Sequence, residues 1–311
     1  MQDTQAIHDS ERLLDMLMSD SDSLNKEAKQ DLDDYTRTIN REGSFVSKII
    51  EPSDFDRSRL VPDMHTDQPK MLFEYETTSP FAAPVDYGTT PSDFIPRGRR
   101  YPVLFSRVQT KNVAIDLLEL QTYKQDVRKI LGDNMTKDLV ALRDHRFIRA
   151  CRNILGPKNA VLPWVGKAMN VDMNAPISHS SFVTAKNTMR DTPFSIESNK
   201  FLANHLHIRD FDVMAVEELQ GTDKSVDIAF KGFTEAVYSG IRMMFTIKKR
   251  LIQTGETFWF GDQDYLGRYV QWIPPTMVMK KEDTIVQSYT YEVFGITIAH
   301  PGALALNNFI A

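Results

Sequence analysis

Residues 70–108 read KMLFEYETTSPFAAPVDYGTTPSDFIPRGRRYPVLFSRV. Two stretches within them, Lys70 to Glu76 and Tyr101 to Val108, alternate apolar and polar residues, the period of half-buried strands. Between these arms, residues 79–100 carry Pro80, Pro84, Pro91 and Pro96. Proline fixes its own φ and pushes the preceding residue toward extended backbone, which argues against helix. The reading is a long hairpin with Ser79 to Arg100 as its tip. Phe45 to Pro102 as a whole holds 8 of the chain's 15 prolines and is expected to be extended. An irregular excursion of this length is rare in a compact domain, and a lone two-stranded ribbon is only marginally stable in water. Its open edges and its apolar residues, Phe73, Tyr75, Phe81, Phe94 and Phe105, therefore call for burial against another copy of the chain. Arg97, Arg99, Arg100 and Arg107 lie at or near the tip. They suit an acidic surface on a neighbouring subunit, a bound phosphate, or plain solvation as a charged loop.

Working toward the N-terminus, Asp3 to Asp34 holds ten acidic residues against Arg12, Lys26 and Lys29. Ile7, Leu13, Leu14, Leu17 and Met18 recur there at helical spacing, too little apolar surface for helices that stand alone. Two readings stay open: a solvated terminus, or an arm that folds against a neighbouring subunit or an assembly partner. Working toward the C-terminus, the period becomes helical from Val113 to Leu155, with Leu117, Leu120, Val127, Leu131, Met135, Leu139, Leu142 and Ile154 near one stripe. Gly132, Asp133 and Asn134 interrupt it, so the expectation is one long helix with an irregular middle or two helices in line, stopped by Gly156-Pro157. Cys151 and His145 lie about 120° apart on such a helix and should not meet as a thiol–base pair. Ser178 to Arg190 reads as a helix with Phe182, Ala185 and Met189 on one side. Ile241 to Ile247 alternates as a strand with one buried face, and Thr257 to Phe260 and Arg268 to Trp272 read as further strands. Thr284 to Ala299 reads as a long final strand, with a bulge expected at Gly295.

The chain has 311 residues, 41% hydrophobic and 25% charged, with a formal charge of -5. This is the composition of an ordinary globular protein and argues against a disordered or collagenous chain. A net negative charge disfavours non-specific attraction to nucleic-acid backbones. The single cysteine cannot form an intrachain disulfide. No run approaches the roughly 20 apolar residues of a membrane span, and the acidic N-terminus is unlike a signal peptide, so a soluble protein made in the cytosol is expected.

Motifs of catalysis are sparse: no Gly-rich phosphate loop, paired-cysteine zinc motif or nucleophile elbow occurs, and no cofactor is implied. The one stretch with ligand chemistry is HLHIRDFD, with His205, His207, Asp210 and Asp212. On a strand, positions 205 and 207 would share a face and a carboxylate could complete a metal site, although a polar helix-to-strand connection explains the same residues.

The order of parts is an arm, an extended hairpin, a long helix, a mixed domain and a long final strand. Its most specific stretches are FKGFTEAVYSGIRMMFTIKKRLIQTGETFWFGDQDYLGRYVQW, residues 230–272, and YTYEVFGITIAHPGALAL, residues 289–306. In this order the chain resembles the major capsid proteins of tailed bacteriophages, the Hong Kong 97 capsid fold, over nearly its whole length. The resemblance implies an α+β protein with an N-terminal arm at 1–44 and an extended loop with its base at 45–110. It implies a peripheral domain with a spine helix at 111–165, an axial domain at 166–284, and a final strand at 285–311 that returns to the peripheral domain. It further implies self-assembly into hexamers and pentamers of an icosahedral shell around double-stranded DNA, without catalysis. A portal, and a separate scaffolding protein if the chain is complete, would be its partners and the virion its location. Phe73, Tyr75, Phe81, Phe94, Arg97, Arg99 and Arg100 would be inter-subunit contacts. Some members cross-link a lysine to an asparagine; Lys70 lies in the corresponding segment, without an identifiable partner. A shell protein of a cellular encapsulin-type nanocompartment is the second reading, and a metal-dependent enzyme using HLHIRDFD the third.

Overall fold

A computed structural model describes residues 44–62, 68–75, 99–116, 127–208, 210–211, 233–238, 240–248, 250–282 and 284–310. All but Ser44 of the arm expected at 1–44, and most of the hairpin tip, lie outside the described residues.

In chain order the described strands are β1 (Pro52–Asp54), β2 (Leu60–Pro62), β3 (Pro69–Tyr75), β4 (Arg99–Leu104), β5 (Ser106–Gln109), β6 (Val113–Asp116), β7 (Val161–Leu162) and β8 (Lys167–Ala168). They continue with β9 (Asn170–Asp172), β10 (Lys200–Asn204), β11 (Phe233–Tyr238), β12 (Ile241–Thr246), β13 (Glu256–Phe260), β14 (Gly267–Glu282), β15 (Ile285–Ile298) and β16 (Leu304–Asn308). The helices are α1 (Val46–Ile49), α2 (Val127–Leu155), α3 (His179–Arg190) and α4 (Gln263–Leu266). Among the described residues the mix is α+β.

The first sheet is built on the long antiparallel pair β14 and β15, with β1 on the outer edge of β14 and both β5 and β6 on the outer edge of β15. Arg268 to Trp272, expected as a short strand, is only the start of β14, which continues through Pro274 and Pro275. Proline cannot donate to the ladder, so the sheet accommodates the pair at an irregularity. The register slips between Gln271 and Ile273 and again between Ile273 and Thr276. The bulges therefore belong to β14, not to Gly295, which pairs in register with Val270. Gly295 has a different reason to be glycine: a Cβ there would lie 2.6 Å from Val103 Cγ1 and 2.8 Å from the Leu104 carbonyl oxygen. Its bare backbone lets the end of β4 cross the sheet in contact.

Described over Val127–Leu155, helix α2 spans about 43 Å at 1.5 Å per residue. Val113–Asp116 is a strand, and Gly132 sits within an unbroken helix where the Thr136 hydroxyl donates to its carbonyl. The buried stripe runs Met135, Leu139, Arg143, Phe147, Cys151 and Leu155 in steps of four, while Leu142 is exposed. Gly156, at φ +67°, ends the helix in the left-handed conformation that favours glycine, as its sequence position implied. Cys151 is fully buried, which pushes its thiol far above its ordinary range, whereas His145 is exposed.

The second sheet has the order β11-β12-β10-β13-β16-β9 and lies between two helices. On one face Phe182 of α3 packs against Phe201 and Trp259, with ring centroids 5.9 and 5.0 Å away. On the other, Phe147 of α2 meets Phe260 at 5.7 Å. Both faces being covered, Met243, Met244 and Phe245 are all buried, and the single buried face expected from alternation holds only at the start of β12. Helix α3 starts at the expected place because Ser178 and Ser181 form a reciprocal capping box.

Sheet membership crosses two expected boundaries. Strand β14 lies within 166–284 yet pairs with β15 and β1, and β16 lies within 285–311 yet pairs with β13 and β9.

Candidate assembly surface

Strands β3 and β4 pair antiparallel from Lys70 opposite Leu104 to Tyr75 opposite Arg99, and β2 pairs with the other edge of β3. Arg99 and Arg100, read from the sequence as part of the tip, are strand residues. The expected arm Tyr101 to Val108 also divides. The Phe105 amide donates to the Pro69 carbonyl, closing the small sheet, and from Ser106 the chain joins β15.

This change of sheets turns Phe105 inward. It joins Met71, Val103, Val270 and Val293 in a local core, with Phe55 and Trp272 edge-on at 5.6 and 5.5 Å. The burial expected for Phe105 against another copy is thus supplied by its own chain, because Phe55, Trp272 and β15 lie directly beneath the hairpin base. Farther out, Phe73 stacks on Tyr101 at 6.0 Å and both remain half-buried. Half-burial pushes the Tyr101 phenol up, with Arg268 pulling it the other way. Arg100 pairs with Glu74 at 3.0 Å, both side chains exposed, an arrangement that contributes little to the fold. Beyond β3, β4 has no strand partner among the described residues, and Leu104 at its end is exposed. Of the predicted contact residues, the structure thus places Phe73 and Arg100 on the outer part of an anchored base. It gives Tyr75 and Arg99 as facing positions of the same ladder. Phe81, Phe94 and Arg97 lie outside the described residues.

Behind this surface a buried ionic layer fixes α2 to the sheets. Arg143 binds Glu292 of β15, and Asp144 binds both Lys248 and, at 2.8 Å, the Ser44 hydroxyl. Burial pushes the Asp144 carboxyl up, against the opposing pull of Lys248. Nearer the end of α2, Arg152 pairs with Glu256 at 2.6 Å and donates to the Leu251 carbonyl. Reading the helix by its apolar residues missed Arg143. Its position four residues from both Leu139 and Phe147 was the available signal.

The HLHIRDFD stretch forms no strand face. β10 ends at Asn204, which caps a 3-10 turn at His205–His207. His207 is buried with Nδ1 bonded to Asp210 at 2.9 Å within the same stretch and Nε2 accepting the Gly255 amide at 2.9 Å, so both ring nitrogens are engaged and the second joins this turn to the approach to β13. Asp212 lies outside the described residues, and among those described no three His, Cys, Asp or Glu residues gather as a metal-binding group. No described helix is long and apolar enough to cross a membrane.

No family model and no curated protein matches the chain. Solved structures do. The asymmetric unit of the bacteriophage PhiM1 mature capsid matches at TM-score 0.55 and 7% identity, covering 86% of this chain and 87% of the other. The cyanophage Pam1 capsid asymmetric unit matches at TM-score 0.54 and 13% identity, covering 83% and 88%. This is a phage capsid fold. The capsid of a native GTA particle shares that fold at TM-score 0.53 and 12% identity over 89% of this chain and 91% of its own. The fold is shared where sequence identity is only 7–13%.

Proposed function

We propose that this chain is the structural subunit of an icosahedral phage head, assembling as hexamers and pentamers in the Hong Kong 97 manner around double-stranded DNA. The observation that carries the reading is the shared fold over more than four-fifths of the chain. In this reading residues 1–44 are the arm and 45–110 the extended loop with its base. The peripheral domain comprises 111–165 and the strand at 285–298, joined through pairing by β14. The axial domain takes the remainder of 166–284 together with β16. The role is structural rather than catalytic. The product belongs in the virion, and a scaffolding protein and a portal are its assembly partners.

The hairpin supports this role physically. The inner end of its base is buried on its own subunit, so the neighbour-directed part is the outer hairpin from the Phe73–Tyr101 pair onward, with Phe73, Tyr75, Phe81, Phe94, Arg97, Arg99 and Arg100 as the proposed contacts. Repeated weak contacts with several neighbours give a strong lattice while misplaced subunits still dissociate. A chain of net charge -5 avoids adhering to packaged DNA.

The test is to replace residues 77–98 by a short turn, leaving β3 and β4 intact. The expected product is a folded, soluble subunit that forms no closed shells. Normal shells from this deletion would overturn the assignment of the loop.

A further inference from the structure

A polar cleft of about 390 Å³ opens where α1 and β1 meet β14 and the middle of α2. Its walls include Lys48, Glu51, Arg143, Arg242, Tyr269 and Gln271. Three polar atoms on these walls, Arg143 Nε, Tyr269 OH and Gln271 Nε2, are buried without a hydrogen-bond partner among the described residues. Arg143 and Tyr269 are 2% and 1% exposed. All three atoms donate hydrogen bonds, and burial pushes the Tyr269 phenol up, keeping it a donor. Buried donors without an acceptor are costly and rare in folded proteins. Glu292 Oε1, behind the cleft, is also unpartnered, but its other oxygen is held by Arg143. The nearby charges comprise Lys48, Arg143, Arg242 and Lys248 against Glu51, Asp144 and Glu292. Convergent donors with an excess of positive charge match a planar group with two acceptor oxygens and a negative charge.

We propose that this cleft binds a carboxylate, and that the acidic stretch Asp3–Asp34 of the same polypeptide supplies it. The chain enters the described structure at Ser44, whose hydroxyl is bonded to Asp144, and four residues later Lys48 forms part of the cleft wall. Nine residues lie between Asp34 and Ser44, ten Cα–Cα steps that span up to about 33 Å when extended, which makes the cleft accessible to the stretch. A tether this short also holds its ten carboxylates at an effective concentration on the order of millimolar, favouring occupation over free anions. The acids of Asp3–Asp34 outnumber its bases by seven, the complement of the cleft's positive excess. The site is independent of shell formation and is present in the dispersed subunit.

Zero-length carbodiimide coupling of the full chain tests this, because it joins a carboxylate to a contacting amine as an amide with loss of water. The expected result is a cross-linked peptide pairing Lys48 with an Asp or Glu of residues 3–34. Recovery of that peptide from monomer-mass protein supports the proposal, whereas its recovery only from dimer-mass protein assigns a neighbour's stretch and would overturn it. Yield should fall about fivefold in Arg242→Gln and in about 0.5 M salt, which weaken charge-assisted contacts. A full chain with all ten acids changed to Asn or Gln keeps the experiment decisive if Arg242→Gln misfolds, and it should give no such peptide. Lys48 joined only to Glu51, joined to another described segment, or joined to nothing would overturn the proposal. So would a yield indifferent to salt, or a cleft that takes up inorganic phosphate while never coupling to the acidic stretch.

Discussion

Replacing Arg143 with methionine removes one member of the buried pair that ties α2 to β15. The guanidinium and the Glu292 carboxylate are 2% and 0% exposed, so neither is screened by water. The guanidinium also lies over the Tyr269 and Phe294 rings, 5.6 and 5.7 Å from their centroids. In Arg143→Met the carboxylate stays buried without its ion-pair partner, and its Oε1 is already unpartnered. Breaking a buried pair from one side costs about 3–5 kcal/mol. Removing both charges with apolar residues of similar volume is often neutral or better, so Arg143→Met/Glu292→Leu should be at least about 2 kcal/mol more stable than Arg143→Met alone. Equilibrium urea unfolding of the dispersed subunit, followed by tryptophan fluorescence, reads both values, since Trp259 is fully buried. An Arg143→Met protein within about 1 kcal/mol of the parent, or a double variant no better than the single one, would refute the reasoning.

Two further predictions concern the packing of the first sheet and the turn into β16. Gly295→Ala should destabilise by about 1–3 kcal/mol in the same unfolding assay, because the added Cβ meets the Leu104 carbonyl and Val103; an unchanged midpoint would remove the close approach from the account. His300 accepts the Gly302 amide at Nδ1 with its ring against Phe194, and burial lowers its pKa. The folded form therefore resists protonation: below about pH 6.5 the unfolded chain binds a proton that the folded chain does not, and stability falls as pH falls toward the folded value. His300→Gln should flatten that part of the stability–pH curve, and an identical curve would refute the assignment.

The parts of this fold that were legible in the sequence are those set by local rules. The two hairpin arms follow from alternation at Met71, Phe73, Tyr101 and Val103. The start of α3 follows from Ser178, and the end of α2 from Gly156-Pro157. What was illegible depended on partners distant in sequence. Pro274-Pro275 gave no sign that β14 continues past them, because a strand with bulges is held by its neighbour's register rather than by its own periodicity. Gly295 carried a real signal with two physical meanings, a bulge or a close approach, and only the position of β4 distinguishes them. Phe105 looked like interface because its covering residues, Phe55 and Trp272, lie about 50 residues before it and more than 160 after it. The histidines of HLHIRDFD resembled a metal site only while they were imagined on a strand; both lie in one 3-10 turn, and the Gly255 amide takes the second ring nitrogen of His207.

The central claim, that this fold serves as the repeating unit of a shell, is tested most directly by electron microscopy of the purified full-length chain over a range of protein concentrations. The account predicts five- and six-membered rings and closed shells. Solitary particles of one subunit's mass, unchanged as concentration rises, would contradict it.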